Sequence, residues 1–245
     1  MLDAVTIEIL WSRITSIVDE GAKVIVRTAF STLSNEANDF ACVLTDAAGQ
    51  SLAQNTGSIP SFIGTLPATV RHFLGEFAVS EMQPGDVYIT NNPWQGTGHL
   101  PDVCVAKPVF RDGRLVAFAA ACSHVPDIGG MVRSVEPREV FEEGLHIPLM
   151  RFIRDGVADA TLIKLLRHNV RTPDQTLGDI WALVGAVELM GRRLVAMLDE
   201  YDQPDVRALA DELFSRSEAA MPALDGGGGD AVEEETVALA TRRAA

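Results

Sequence analysis

The chain has 245 residues, 47% hydrophobic and 22% charged, so it can bury one substantial core or two small ones and is expected to fold. Its 34 acidic and 20 basic side chains leave a formal net charge of -14, which repels phosphate backbones and anionic leaflets and argues against nucleic-acid and membrane partners. Cys42, Cys104 and Cys122 form neither a C-x-x-C pair nor a disulfide framework, and Asp3, Glu8, Arg13, Asp19 and Glu20 interrupt any apolar leader, so a reduced, cytoplasmic setting is expected.

Residues 4 to about 28 place Ile7, Trp11, Ile14, Val18 and Ile25 at steps of three, four or seven, the pattern of one long amphipathic helix. From Asn38 to Gln54 the period changes: DFACVLTD and QSLAQ, separated by Ala47, Ala48 and Gly49, spell a β-hairpin. NTGSIPSFIG reads as a loop, and Leu66 to Phe77 as a short helix. Between residues 86 and 123, DVYIT, DVCVAKPVF and RLVAFAAAC are short, apolar and bounded by turn signals, which puts a sheet at the centre.

Beyond residue 158 the helical pattern returns. Thr172, Pro173 and Gln175 form a capping-box start, and Ile180, Val184, Val187, Leu194 and Leu198 mark one buried stripe. A further helix is expected from about Asp205 to Ala220. The fold class is therefore α+β: a central, mostly antiparallel β-sheet region with a long N-terminal helix and C-terminal helices, within residues 1–221. The glycine run and acidic stretch of DGGGGDAVEEETVALATRRAA predict a disordered tail over 222–245. No G-x-x-x-x-G-K-[ST] phosphate loop is present, so ATP binding by that route is not expected of this chain.

One short pattern, His-x-Pro-Asp, occurs twice, as His99-Leu100-Pro101-Asp102 and His124-Val125-Pro126-Asp127. The copies flank a predicted hairpin with strands at about 102–110 and 114–123, joined by Arg111-Asp112-Gly113 as a three-residue turn. Pairing Phe110 with Arg114 puts Asp102 opposite Cys122 and Leu100 opposite His124. Strands lie about 5 Å apart, so two imidazoles and two carboxylates would meet at the hairpin's open end. That is a normal donor set for a catalytic divalent ion, whereas the bland alternative is a pair of turn or capping devices.

The glycines of NNPWQGTGH and DIGG are expected to let backbone approach a ligand closely. His72, His146 and His168 read as surface or loop residues. Cys122 shares a strand face with His124, which makes a Cys/His nucleophile pair an alternative use of the same end.

The segments RTAFSTLSNEANDFACVLTDAAGQSLAQ, NNPWQGTGHLPDVCVAKPVF, SHVPDIGG, EEGLHIPL and NVRTPDQTLGDIWA, in this order, resemble the hydantoinase B/oxoprolinase family from Asp3 to about Tyr201. The resemblance implies a B-type subunit that works with an ATP-binding A-type subunit, which phosphorylates the substrate before ring opening or carboxylation is completed. It also implies a manganese ion held by two histidines and an aspartate at positions matching His99, Asp102 and His124, a donor set whose chemistry suits zinc and iron as well. Many family members carry a His-His pair before D-I-G-G, where this chain has His124-Val125, and family subunits continue into a second large region.

The expected function is ring-opening hydrolysis of a hydantoin or lactam, with metal ligands His99, Asp102 and His124. His124 and Asp127 are the candidate catalytic residues, Asp127 as a fourth ligand or as the group orienting His124. The alternatives are ATP-dependent ketone carboxylation and a truncated, non-catalytic assembly subunit; beside the A-type subunit, a separate C-terminal B-type fragment is a further candidate partner of the chain.

Overall fold

In a computed structural model, residues 3–131 and 137–220 are described; the tail expected over 222–245 lies outside the described residues. The chain divides into two compact units, residues 1–211 and 212–245.

The first unit opens with helix α1 (Ala4–Thr28), which starts where Asp3 Oδ1 accepts the amides of Val5 (3.0 Å) and Thr6 (2.9 Å). Ile7, Leu10, Ile14, Val18 and Ile25 form its buried stripe, as the periodicity predicts. A short helix α2 (Thr32–Asn35), capped by Ser31, leads to the hairpin of β1 (Phe40–Asp46) and β2 (Ser51–Gln54). Helix α3 (Pro60–Glu76) begins six positions before the expected Leu66, because Pro60 at its first turn is a helix start rather than a loop residue.

Then come β3 (Val87–Thr90), β4 (Asp102–Arg111), β5 (Arg114–His124), a one-turn helix α4 (Val140–Glu143), β6 (Met150–Arg154) and β7 (Val157–Ala158). Helices α5 (Ala160–Asn169), α6 (Pro173–Glu200) and α7 (Arg207–Ala220) complete the order. The described residues of the second unit, from Glu212 onward, are the continuation of α7.

The strands form one sheet in the order β2-β1-β5-β4-β3-β6-β7, and every neighbouring pair is antiparallel. Helix α3 lays Phe62, Leu66, Val70 and Phe73 on one face, against Ala41, Val43, Tyr88, Cys104, Ala106, Phe118, Ala120 and Cys122. Helix α6 covers the other face of β4 and β5 and also packs on α1. With both faces covered, β4 is buried from Asp102 to Val109 and, apart from Asp102 and Lys107, apolar, which is why DVCVAKPVF does not alternate.

The central hairpin differs from expectation at its turn and in its register. Asp112 (φ 49°) and Gly113 (φ 73°) make a two-residue turn with both residues in the left-handed region, the geometry that an Asp-Gly pair favours. Arg111 therefore pairs with Arg114, which shifts the register by one residue, and an irregularity between Val109 and Phe110 shifts it by one more. Asp102 consequently lies opposite His124, not Cys122.

Strands β6 and β7 were not anticipated. The same dipeptide turns the chain between them, with Asp155 at φ 46° and Gly156 at φ 80°. Buried Asp86 secures this edge, with one carboxylate oxygen accepting the Asp155 amide (3.0 Å) and the other 3.3 Å from Arg151 Nε.

The expected capping box at Thr172 does not form, since the Thr172 side chain makes no cap hydrogen bond. The carboxylate of Asp127 instead holds the segment that leads into the helix, accepting the backbone amides of Arg171 and Thr172, and Thr176 Oγ1 donates to the Asp127 carbonyl (2.8 Å).

Candidate metal centre

Asp102 is the first residue of β4 and His124 the last of β5, so the ladder itself brings them together. His99 precedes the strand and is folded back by a turn in which the Asp102 amide donates to the His99 carbonyl (3.2 Å). A second tie, the Val125 amide to the Pro101 carbonyl (2.9 Å), fixes the two chain segments beyond the ladder.

The three side chains converge on one point. Asp102 Oδ1 is 2.9 Å from His99 Nε2 and 3.0 Å from His124 Nδ1, and the two nitrogens are 3.2 Å apart. Donor atoms at about 2.0–2.2 Å from a shared ion are separated by roughly 3.0–3.5 Å, so this triangle has the dimensions of one face of a coordination polyhedron. Asp102 is buried, while the His99 side chain retains 43% of its exposure and that of His124 22%, which leaves one approach open to solvent.

The surroundings favour positive charge. Burial pushes the Asp102 carboxyl pKa up, but the hydrogen bonds and charges of His124 and His99 outweigh it and hold it below the ordinary value. The hydrogen bond to Asp102 raises the pKa of His99 against the opposing effect of burial, with further support from the charges of Asp102, Glu143 and Asp39. Asp39 is itself raised, first by burial, with Asp102 adding to the effect and the two histidines opposing it. The donor set and the acidic surroundings both suit a divalent cation, and His99, Asp102 and His124 form a group able to hold one.

Asp127, expected beside His124, is not part of this group. Its Oδ1 accepts from the Gly129 amide (2.9 Å) and Arg171 Nη1 (3.1 Å), and its Oδ2 from the backbone amides of Arg171 and Thr172. The chain leaves the sheet after His124, which carries Asp127 to the N-terminal end of α6.

The glycines of DIGG also have another purpose. A side chain at Gly130 would collide with the Glu142 carbonyl, so this glycine allows backbone to pack on backbone rather than on a ligand. Cys122 is fully buried, contacts Thr97 Oγ1 at 3.5 Å, and has its thiol pKa pushed well up by burial, which leaves it unsuited to act as a nucleophile. His72, His146 and His168 are exposed and lie outside the group.

Asp39, Thr97 and Glu143 were missed as parts of the surroundings. Thr97 Oγ1 donates to Asp102 Oδ2 (3.1 Å), and the Asp39 carbonyl accepts the His124 amide (3.1 Å). Thr97 was legible only as part of the Gly-rich loop, and Asp39 only as a residue preceding a strand. Nothing in their local spacing connects them to His124.

A seven-stranded antiparallel sheet with a His-Asp-His centre at the end of its middle hairpin is the framework of this part of the chain. The profile of the hydantoinase B/oxoprolinase family matches residues 3–224, and the chain belongs to that family.

Among its relatives is a protein described as the B component of a D-/L-hydantoinase, from Pseudomonas sp. (strain NS671), 27% identical over 226 residues. That match takes in 90% of this chain and 38% of the relative. The crystal structure of the ATP-dependent caprolactamase from Pseudomonas jessenii superposes with a TM-score of 0.79 at 31% identity, over 87% of this chain and 37% of that one. The nucleotide-free structure of acetone carboxylase shares the fold, with a TM-score of 0.72 at 20% identity over 82% of this chain and 27% of that one. The chain therefore spans less than two fifths of the length of these relatives. Among the described residues, no helix is long and apolar enough to cross a membrane.

Proposed function

We propose that this chain contributes the divalent-metal centre of a B-type subunit which, with an ATP-binding A-type partner, opens the ring of a hydantoin or lactam. The observation that carries the proposal is the triangle of His99 Nε2, Asp102 Oδ1 and His124 Nδ1, with edges of 2.9, 3.0 and 3.2 Å. His99, Asp102 and His124 would hold the ion, for which manganese is the first choice and zinc and iron suit the same donors. When bound, such an ion supplies Lewis-acid polarisation of a carbonyl or a water of lowered pKa.

The protein's own part is positional. Thr97 occupies Asp102 Oδ2, which leaves Oδ1 to face the two imidazoles. The half-exposed edge of His99 marks the side from which substrate and water arrive. Asp127 in this reading takes no part in the chemistry and anchors the start of α6. Phosphorylation of the substrate belongs to the partner subunit, in keeping with the ATP dependence named for the caprolactamase relative. Ketone carboxylation has less support, because the likeness to acetone carboxylase, at 20% identity, bears on fold alone.

Elemental analysis of the purified chain, beside a His99→Ala/His124→Ala variant, tests the proposal. Near-stoichiometric metal in the wild type and none in the variant is expected. A wild-type chain that takes up no divalent metal from manganese, zinc or iron solutions would overturn it and favour the assembly role.

A further inference from the structure

We infer that the segment 143–147 braces the metal centre from outside, with Glu143 and Asn91 as positioning residues that set its affinity for the ion; this rests on the metal reading above. His99 lies outside the strand ladder, which begins at Asp102. Its place therefore depends on the Leu100 peptide that joins it to Pro101 and Asp102.

Both polar groups of Leu100 are held by side chains. The Leu100 amide donates to Glu143 Oε2 (3.0 Å), and its carbonyl accepts from Asn91 Nδ2 (2.7 Å). Asn91 is 1% exposed and uses its whole amide. Nδ2 also donates to the Leu145 carbonyl (2.9 Å), while Oδ1 accepts the Ile147 amide (2.6 Å).

Backbone bonds support the same junction. The Asn91 amide reaches the Ile147 carbonyl (3.1 Å), which also accepts Thr90 Oγ1 (3.0 Å). One buried side chain thus ties the loop carrying His99 to backbone more than fifty positions further along the chain. An aspartate at position 91 would turn a carboxylate oxygen towards the Leu100 and Leu145 carbonyls, a repulsion that only the amide avoids. Glu143 also places a carboxylate beside the loop that carries His99, through its bond to the next residue's amide. A group that fixes a ligand's orientation without touching the ion typically changes metal affinity by about 10–100-fold.

The test is a titration of the metal-free purified chain with Mn2+, followed by calorimetry and by the Mn2+ electron paramagnetic resonance line shape. Wild type is compared with Glu143→Ala, Glu143→Gln and Asn91→Asp, with the melting temperature of each metal-free form recorded. Glu143→Ala and Asn91→Asp are expected to weaken Mn2+ binding about 10–100-fold and to alter the line shape. Glu143→Gln, which retains an acceptor for the Leu100 amide, recovers part of the affinity. Should Asn91→Asp fail to fold, Glu143→Ala, at a partly exposed position, decides the matter.

Wild-type affinity and line shape in Glu143→Ala would overturn the brace while leaving the metal centre standing. A wild type that binds none of Mn2+, Zn2+ and Fe2+ would remove both; where only Zn2+ or Fe2+ binds, the same comparison of affinities is made with that ion.

Discussion

The two His-x-Pro-Asp segments are identical in pattern and are used in opposite ways. The first enters the sheet: its aspartate begins β4, and its histidine folds back so that both side chains face the same point. The second leaves the sheet: its histidine ends β5 and joins that point, while its aspartate departs to anchor α6. A tetrapeptide therefore does not carry a role with it. The direction in which the chain crosses the end of the sheet determines which of its polar groups stay together.

Replacing each aspartate in turn should expose that difference most strongly. Asp102→Ala is expected to lower Mn2+ affinity by more than about 100-fold, measured by calorimetry, because it removes the atom shared by both histidines. Asp127→Asn should leave Mn2+ affinity near wild type. It should cost about 2–3 kcal/mol of stability, since the Arg171 and Thr172 amides and the Arg171 guanidinium lose a charged acceptor. Thermal unfolding would show this as a fall in Tm of roughly 5–10 °C. If Asp127→Asn instead releases the metal at unchanged Tm, the assignment of the two copies is reversed.

Acidity should sharpen the contrast further. His99 has a raised pKa in the folded, metal-free chain, so its bond to Asp102 contributes stability fully below the ordinary histidine value and loses it as pH rises through the raised value. Mn2+ competes for the same nitrogen and so behaves in the opposite sense. Its affinity should fall as pH drops through that raised value, by up to about tenfold per pH unit for one displaced proton. Titrations from pH 8 down to about pH 5.5 would check the slope, and a flat profile would exclude His99 as a ligand.

The smallest effect is expected at the far end of the hairpin. Gly113→Ala, at a φ of 73°, should cost about 1 kcal/mol in thermal unfolding and leave Mn2+ affinity unchanged. The remaining pairs of β4 and β5 still hold Asp102 opposite His124.

Much of this molecule was legible in the order of its residues. The apolar steps of α1 and α6, the short apolar runs of β1, β3, β4 and β5, and the convergence of His99 and His124 all follow from periodicity and from one hairpin drawn between them. The local physics of Asp-Gly was there as well, at residues 112–113 and again at 155–156; reading the first as part of a three-residue turn displaced the partner of Asp102 by one position, the irregularity between Val109 and Phe110 displaced it by a second, and passing over the second Asp-Gly lost β6 and β7.

What tertiary structure alone decided lies between distant segments. The fate of Asp127 depends on where α6 begins, the clamp on Leu100 depends on the passage of residues 143–147 beside residue 91, and the environment of His124 depends on the backbone of Asp39. Periodicity reports which face of an element is buried. Buried polar groups, however, must find partners wherever the packed chain provides them, and those partners are adjacent in space without being adjacent in sequence.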